Sequence, residues 1–214
     1  MGNNYDVAMI HRGSINPEWV TSAIAAHTHY PWNRLHMTAG KNLVFDKNGI
    51  TLSWLAAKET DWLLWSDEGM AFPRDAIEKL VTFTDEPAVV SALWWHYEPN
   101  TQIIYPGIFY STENGRLFAN LHPETPIPDK PTLVLGTGGG FIAIHRKVAQ
   151  AILDATEPRD LDYPFFSSQR ISPTSVTGYS ETFCIRVSNA GYPYWLLPDV
   201  KVTHYETIGL TGRF

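Results

Sequence analysis

The stretch Asp61–Val81, DWLLWSDEGMAFPRDAIEKLV, constrains the fold more than any other part of the chain. It opens on Trp62-Leu63-Leu64-Trp65, an apolar run without alternation, the pattern of a short strand buried on both faces. The run ends in Ser66-Asp67-Glu68-Gly69, two carboxylates beside a glycine. A helical pattern follows: Pro73 suits a first helical position, Asp75 the positive helix end, and Ile77, Leu80 and Val81 share one face. Acids at the carboxyl end of a central strand stand where open α/β sheets take their ligands. A plainer reading fits the same residues, a strand–helix turn with solvated acids.

The rest of the chain keeps a strand–helix alternation. Asp6–Ile10 reads as a first strand, and Asn16-Pro17 opens a helix with Val20, Ala23 and Ile24 inward. In the turn between them, Arg12 is placed either to reach a phosphate or base or to stand as a surface arginine. Leu35–Met37 makes a second strand. Residues 43–58 admit a hairpin about Asn48-Gly49, or a helix from Lys47 to about Lys58, capped by Asp46, with Ile50, Trp54 and Leu55 inward. The helix preserves the alternation. Ala88–Trp95 reads as a strand, and Ile103–Tyr110 with Arg116–Leu121 as a hairpin about Asn114-Gly115. Prolines 123, 126, 128 and 131 impose an extended loop. Gly136–Gly140 precede a strand Phe141–Ile144 and a helix from Arg146 with Val148, Ile152 and Leu153 as its stripe; the glycine run is not a Walker loop, and the turn after the first strand lacks a GxGxxG or P-loop spacing. Glu157–Tyr179 lacks periodicity, a length of loop that is usually functional or disordered. Ser180–Ala190 is a helix with Phe183, Cys184 and Val187 inward, and Tyr194–Leu197 and Val200–His204 are extended. His204 shares the face of Val200 and Val202, so one reading of it is a buried structural histidine.

At 214 residues, 44% hydrophobic and 18% charged, the chain has the make-up of one globular α/β domain. A net charge of −6 argues against a broad phosphate-tracking surface. The single Cys184 excludes an intramolecular disulfide and a cysteine-based zinc site. No apolar run reaches membrane-spanning length and no signal pattern opens the chain, so no membrane partner is expected and the location expected is cytoplasmic. Eight Trp and ten Tyr exceed what a core needs, and aromatic residues often line sites for sugars or bases.

Five pieces in order resemble a family-2-type glycosyltransferase of the GT-A fold, in the short versions found among bacteriophages. Lys47-Asn48 stand where that family often has Arg-Asn. Asp61–Pro73 resembles its apolar strand, DxD motif, Met and Phe-Pro pair. Gly136–Val148 is similar to its glycine-led strand and helix start, Phe183–Val187 to the helix after its Glu-Asp motif, and Val202–Tyr205 to its terminal strand and histidine. Two departures stand out: Gly69 replaces the second aspartate, and the Glu-Asp pair falls on Tyr179-Ser180, with Glu181 slightly late. The end of the second strand, Thr38-Ala39-Gly40, also lacks the acid that many relatives keep for the donor's base or ribose.

The resemblance implies a single GT-A domain with a mixed, mostly parallel sheet, residues 1–95 binding the nucleotide sugar and 96–214 the acceptor. It implies transfer of a sugar from a nucleotide-diphosphate donor, UDP-linked, to an acceptor hydroxyl. Donor-binding candidates are His11, Arg12, Gly13, Asn48, Asp67 and Glu68; the sugar or acceptor loop is Gly138, Gly139, Gly140, Tyr163 and Phe165. A divalent oxygen-preferring ion, Mn²⁺ or Mg²⁺, would stabilise the leaving diphosphate, held by Asp67 and neutral His204. Glu181 is the first candidate for the base that takes the acceptor's proton, with Asp162 or Asp160 in reserve. The acceptor is a protein, glycan or small molecule, or alternatively a hydroxymethylated DNA base. The DNA alternative needs a basic groove around His145, Arg146, Lys147, Arg159 and Arg170. An inactive sugar- or nucleotide-binding module is the rival from another class.

Overall fold

The computed structural model describes residues 4–11, 13–40, 42–98, 102–111, 117–119, 126–172 and 175–205. A seven-stranded sheet forms the centre. Its strands are β1 (Tyr5–His11), β2 (Leu35–Ala39), β3 (Trp62–Ser66), β4 (Val89–Leu93), β5 (Thr132–Leu133), β6 (Phe141–His145) and β7 (Tyr194–Lys201), in the order β5-β7-β4-β6-β3-β1-β2. The pairs β1–β2, β1–β3 and β4–β7 are parallel, whereas β6 runs antiparallel to both β3 and β4, and β5 to β7. Strands from before and after residue 95 thus interleave in one sheet.

Among the described residues five α-helices cover the two faces: α1 (Pro17–His29), α2 (Leu43–Ala57), α3 (Ala76–Val81), α4 (Arg146–Asp154) and α5 (Tyr179–Asn189). The period of two along the strands sorts residues between the layers. Tyr5, Val7 and Met9 of β1 with Trp62 and Leu64 of β3 pack against α1 and α3. Ala8, Ile10, Leu63 and Trp65 pack against α2, α4 and α5. Every residue of β3 is buried, as its unbroken apolar run requires.

Several elements differ from the sequence expectations, each for a tertiary reason. The inward stripe of α1 is Trp19, Ala23 and Ala26, leaving Val20 and Ile24 exposed. The rotation follows Trp19, whose indole N–H donates to the Ser66 hydroxyl at the end of β3 (2.8 Å). The second helix starts four residues earlier than expected and is capped by Asn42, whose Oδ1 accepts the Phe45 N–H, not by Asp46. Pro73 does not open α3: Met70-Ala71 first form a short strand against Thr203-His204, and the helix begins only at Ala76. Ile103–Pro106 pairs back onto Trp95–Glu98, while Ile108–Ser111 pairs with Leu117–Ala119 and with Gly136-Thr137. The turn about Asn114-Gly115 lies outside the described residues. The aperiodic segment after α4 holds a 3₁₀ turn (Pro158–Asp160) and a two-stranded hairpin of Gln169–Ser172 with Ser175–Thr177.

Candidate functional site

The sheet order reverses about β1, with β2 on one side and β3 on the other, and ligands of open α/β sheets lodge at such a reversal beyond the carboxyl ends of the strands. His11 ends β1 there and Asp67 follows β3. Because β6 is antiparallel, its leading glycines come to the same end, with Phe141 opposite Ser66. The Asp67 N–H donates to the Gly140 carbonyl (2.9 Å), and the Asp67 carbonyl accepts from Met70 (3.1 Å).

Lys47 is the centre of this arrangement. It sits in the first half of α2, its side chain 1% exposed, with Nζ 3.2 Å from Asp67 Oδ1. It also donates to the Gly139 carbonyl (3.4 Å) and lies 5.3–5.6 Å from the ring centroids of Trp65, Phe166 and Tyr179. Burial, the largest single influence, lowers the ammonium's pKa; the Asp67 charge, Tyr179 and the hydrogen bond to Asp67 together outweigh it, and the pKa stands above the ordinary lysine value. The ammonium therefore stays charged and fixes one oxygen of a carboxylate that remains 29% exposed. Sequence reasoning did not place Lys47 in the site, since a lysine in a helix ordinarily faces water. Its one signal was its place beside Asn48.

The glycines around Asp67 permit close approach. Gly139 has φ +75°, a left-handed conformation that side chains rarely adopt. A Cβ on Gly69 would lie 2.5 Å from the Tyr205 carbonyl oxygen and 3.1 Å from Cδ2 of the His204 ring. Glycine at the second motif position is thus the residue that lets the Thr203-His204 strand dock on the turn. It gives up a carboxylate and brings an imidazole alongside.

The remaining candidates divide. Asp67, Glu68, His204 and Gly138–Gly140 gather at this end of the sheet, with His11 and Gly13 at the end of β1, where the Gly13 N–H donates to His11 Nδ1 (3.4 Å). Arg12 lies outside the described residues. Asn48 is a correction: its side chain is buried and fully engaged in the fold. Its Oδ1 accepts from the Phe165 and Phe166 N–H groups (2.8 and 3.1 Å), and its Nδ2 donates to the Val44 and Phe166 carbonyls (both 2.7 Å). Phe165 is a second correction, since it is a core residue with no exposed surface. Tyr163 and Asp162 are exposed on the preceding turn. Asp160 lines a separate cavity of about 220 Å³ with Thr182 and Arg186, so the structure does not join it to Asp67.

Glu181 lines a different cavity, of about 270 Å³, together with Gly138, Trp94, His96, Tyr105 and Tyr179. Its Oε2 accepts the Gly178 N–H (2.5 Å), capping α5, and Ser180 Oγ donates to the Gly138 carbonyl (2.8 Å). Helix α5 is thereby fastened to the glycine run. Trp94 and His96 line the candidate site although sequence reasoning does not single them out, the surplus of aromatics being the one signal for Trp94; Ser180 is marked there only as a position of the departed Glu-Asp motif. Cys184 is buried under Gly136, its thiol pushed up to about 12 chiefly by burial, so it offers no nucleophile.

Of the basic residues expected to line a groove for a DNA acceptor, His145 and Arg146 are engaged within the fold. His145 lies opposite Trp62, at the amino end of β3, about 13 Å along the strand from Ser66. Its Nδ1 accepts the Lys147 N–H and caps α4. Arg146 donates to the carbonyls of Thr60, Trp54 and Leu55 and lies over the Trp54 ring. Arg159 is exposed beside Asp160, and the Arg170 side chain lies outside the description. No helix among the described residues is long and apolar enough to cross a membrane.

No family model matches the sequence, and no curated protein matches it. Solved structures share its fold. A197 from STIV is 15% identical with a TM-score of 0.60, over 95% of this chain and 86% of that one. GalNAc-T7, solved with UDP, GalNAc and Mn²⁺, is 13% identical with a TM-score of 0.63, over 99% of this chain but only 45% of that one. The inositol-1-phosphate CTP transferase from T. maritima is 9% identical with a TM-score of 0.50, over 100% of this chain and 93% of that one. At such identities the likeness is one of fold: the chain has the GT-A fold, a mixed, mostly parallel sheet between helices.

Proposed function

We propose that the chain transfers a sugar from a nucleotide-diphosphate sugar, UDP-linked, to an acceptor hydroxyl. The observation that carries this reading is Asp67, held by Lys47 at the carboxyl end of β3 with the His204 ring against Gly69 two residues on, on a fold shared with a structure containing UDP, GalNAc and Mn²⁺. The nucleotide would lie at the β1–β3 reversal, near His11, Arg12, Gly13 and Glu68. Most of that donor half comes from residues 1–95, joined by His204, and most of the acceptor half from 96–214, joined by Trp94.

Among the described residues no three carboxylate, imidazole or thiolate side chains cluster, so a full protein cage for a metal is not built. Asp67 and His204 fit a divalent ion of the Mn²⁺ kind that draws its other ligands from diphosphate and water. Such an ion, when bound, would stabilise the leaving diphosphate as a Lewis acid. The chain's own residues do the rest. Lys47 pins Asp67 Oδ1 and the Gly139 carbonyl, which orients the carboxylate and the glycine run toward one space. Glu181 faces the acceptor side with Oε2 bonded to the Gly178 N–H, leaving Oε1 to take the acceptor's proton. The acceptor oxygen then bonds to the sugar's anomeric carbon as the bond to the diphosphate breaks, an inverting displacement. A base so placed contributes roughly 10²–10⁴-fold.

The test is turnover of UDP-sugars by the full chain with Mn²⁺, scored as UDP released and sugar transferred. Activity lost in Asp67→Asn supports the proposal. Release of pyrophosphate with nucleotide transfer would overturn it in favour of the nucleotidyl chemistry for which the T. maritima inositol-1-phosphate CTP transferase is named. UDP binding without turnover would make the chain a binding module.

A further inference from the structure

The cavity of about 270 Å³ beside Gly138 has a composition that the donor reading does not use. Its wall is aromatic: Trp94, His96, Tyr105, Phe109 and Tyr179 line it, and Glu181 is the one carboxylate among its described lining residues. Neither Lys nor Arg occurs among its described lining residues. The volume is near the lower end of ligand sites, about 300 Å³, which suits a single ring.

The wall is also built around one residue. Trp94 follows β4 and is 7% exposed, and two glycines lie flush against its indole. A Cβ on Gly107 would stand 2.8 Å from the ring carbons, and one on Gly138 would collide with them. Any other residue at either position would push the indole out of the wall. The His96 and His204 rings meet it edge-on, with centroids 6.2 and 5.5 Å away. The Trp94 indole N–H has no acceptor among the described residues. That nitrogen is itself buried, so the indole meets the cavity with its ring and not with its N–H.

We infer that this cavity takes the neutral pyranose ring of a carbohydrate acceptor. The inference rests on the glycosyltransferase reading for the word acceptor; the cavity's chemistry stands by itself. Aromatic rings present negative faces and suit the weakly positive C–H face of a saturated sugar. A hydroxyl hydrogen answers Glu181. A nucleobase would stack as well, but it brings phosphates. Here they would meet Glu181, no described cation and a chain of net charge −6, while His145 and Arg146 are engaged at the far end of β3. The donor nucleotide has its own place at the β1–β3 reversal.

Saturation-transfer NMR on the full chain with UDP and diamagnetic Mg²⁺ tests this, with methyl glycosides of glucose, galactose, mannose and N-acetylglucosamine as probes and oligothymidylate as the competitor. At least one glycoside is expected to receive saturation, strongest on its ring C–H protons. Gly178→Leu blocks the cavity mouth without strain, since φ is −69° and the new Cβ would sit 3.4 Å from Glu181 Oε2. It should weaken glycoside binding about tenfold or more and leave UDP affinity unchanged. Should that variant not fold, His96→Ala is read in the same way. The inference is overturned if no glycoside binds, if a folded Gly178→Leu binds glycoside as before, or if oligothymidylate takes the cavity in preference. UDP titration separates the two readings. Glycoside bound without UDP affinity supports the cavity and removes the transferase; UDP bound without glycoside does the reverse.

Discussion

At the amino end of β3, the Arg146 guanidinium spends its donors on the main-chain carbonyls of Trp54, Leu55 and Thr60 and rests on the Trp54 ring. At the carboxyl end, the Lys47 ammonium is more deeply buried, yet it ends on Asp67, a carboxylate that still faces solvent with 29% of its side chain. Both cations bind a helix to the sheet. Arg146 closes α2 by satisfying carbonyls that its last turn leaves open. Lys47 instead keeps a charge out of water to orient a group that the fold itself does not need. A buried pair of this kind is a poor source of stability, and local departures from the rules of good packing gather at functional sites.

Removing Asp67 should produce the largest effect. Asp67→Ala leaves the Lys47 charge buried without its partner, a loss of about 3–5 kcal/mol in urea unfolding, together with loss of UDP–Mn²⁺ binding in calorimetry. The double variant Lys47→Met/Asp67→Ala should regain most of the stability and none of the binding. If the double variant binds UDP, Asp67 is structural and the contrast between the two ends disappears. Arg146→Ala should cost about 1–3 kcal/mol by orphaning the α2 carbonyls, with UDP affinity untouched. Comparable loss of UDP affinity there would show that the two ends are not distinct. A third variant sharpens the carboxyl end: Gly69→Asp restores the aspartate that the motif lacks. Its Cβ would press within 2.5 Å of the Tyr205 carbonyl, so the expected result is about 1–3 kcal/mol of lost stability and no tighter Mn²⁺ binding. Tighter Mn²⁺ binding would mean that the Thr203-His204 strand yields and that His204 is dispensable.

The same contrast marks what could be read in the sequence. Trp62–Ser66 was legible because a strand buried on both faces announces itself by an unbroken apolar run, and Asp67 was legible as the acid ending it. What escaped depends on partners far along the chain. The face of α1 turned on a bond from Trp19 to Ser66, the burial of Phe165 on bonds to Asn48, and the burial of Lys47 on Asp67 and Gly139, 20 and 92 positions away. Helical periodicity carries none of these. The exchange of the second aspartate for Gly69 read as a loss in the sequence; in the fold it is the condition for His204 to come close.

The smallest expected effect is electrostatic and sits at the amino end. His145 is 9% exposed, edge-on to Trp62 (4.9 Å), with Nδ1 accepting the Lys147 N–H (3.1 Å). Burial lowers its pKa, Asp61 opposes that, and the Lys147 and Arg146 charges add to the lowering, so the folded value lies below the ordinary one of about 6.5. Above that pH both folded and unfolded chains carry a neutral ring and His145 adds no pH dependence. As pH falls below it, the unfolded chain takes up a proton that the folded chain resists, and stability declines. One proton limits the slope to about 1.4 kcal/mol per pH unit. His145→Asn keeps an oxygen for the helix cap and removes the titration. Melting curves of the two proteins should therefore run together above pH 6.5 and part below it, with the variant losing less. Parallel curves throughout would mean that His145 protonates as readily folded as unfolded. A variant weaker at every pH would mean that the cap, and not the charge, is what the imidazole supplies.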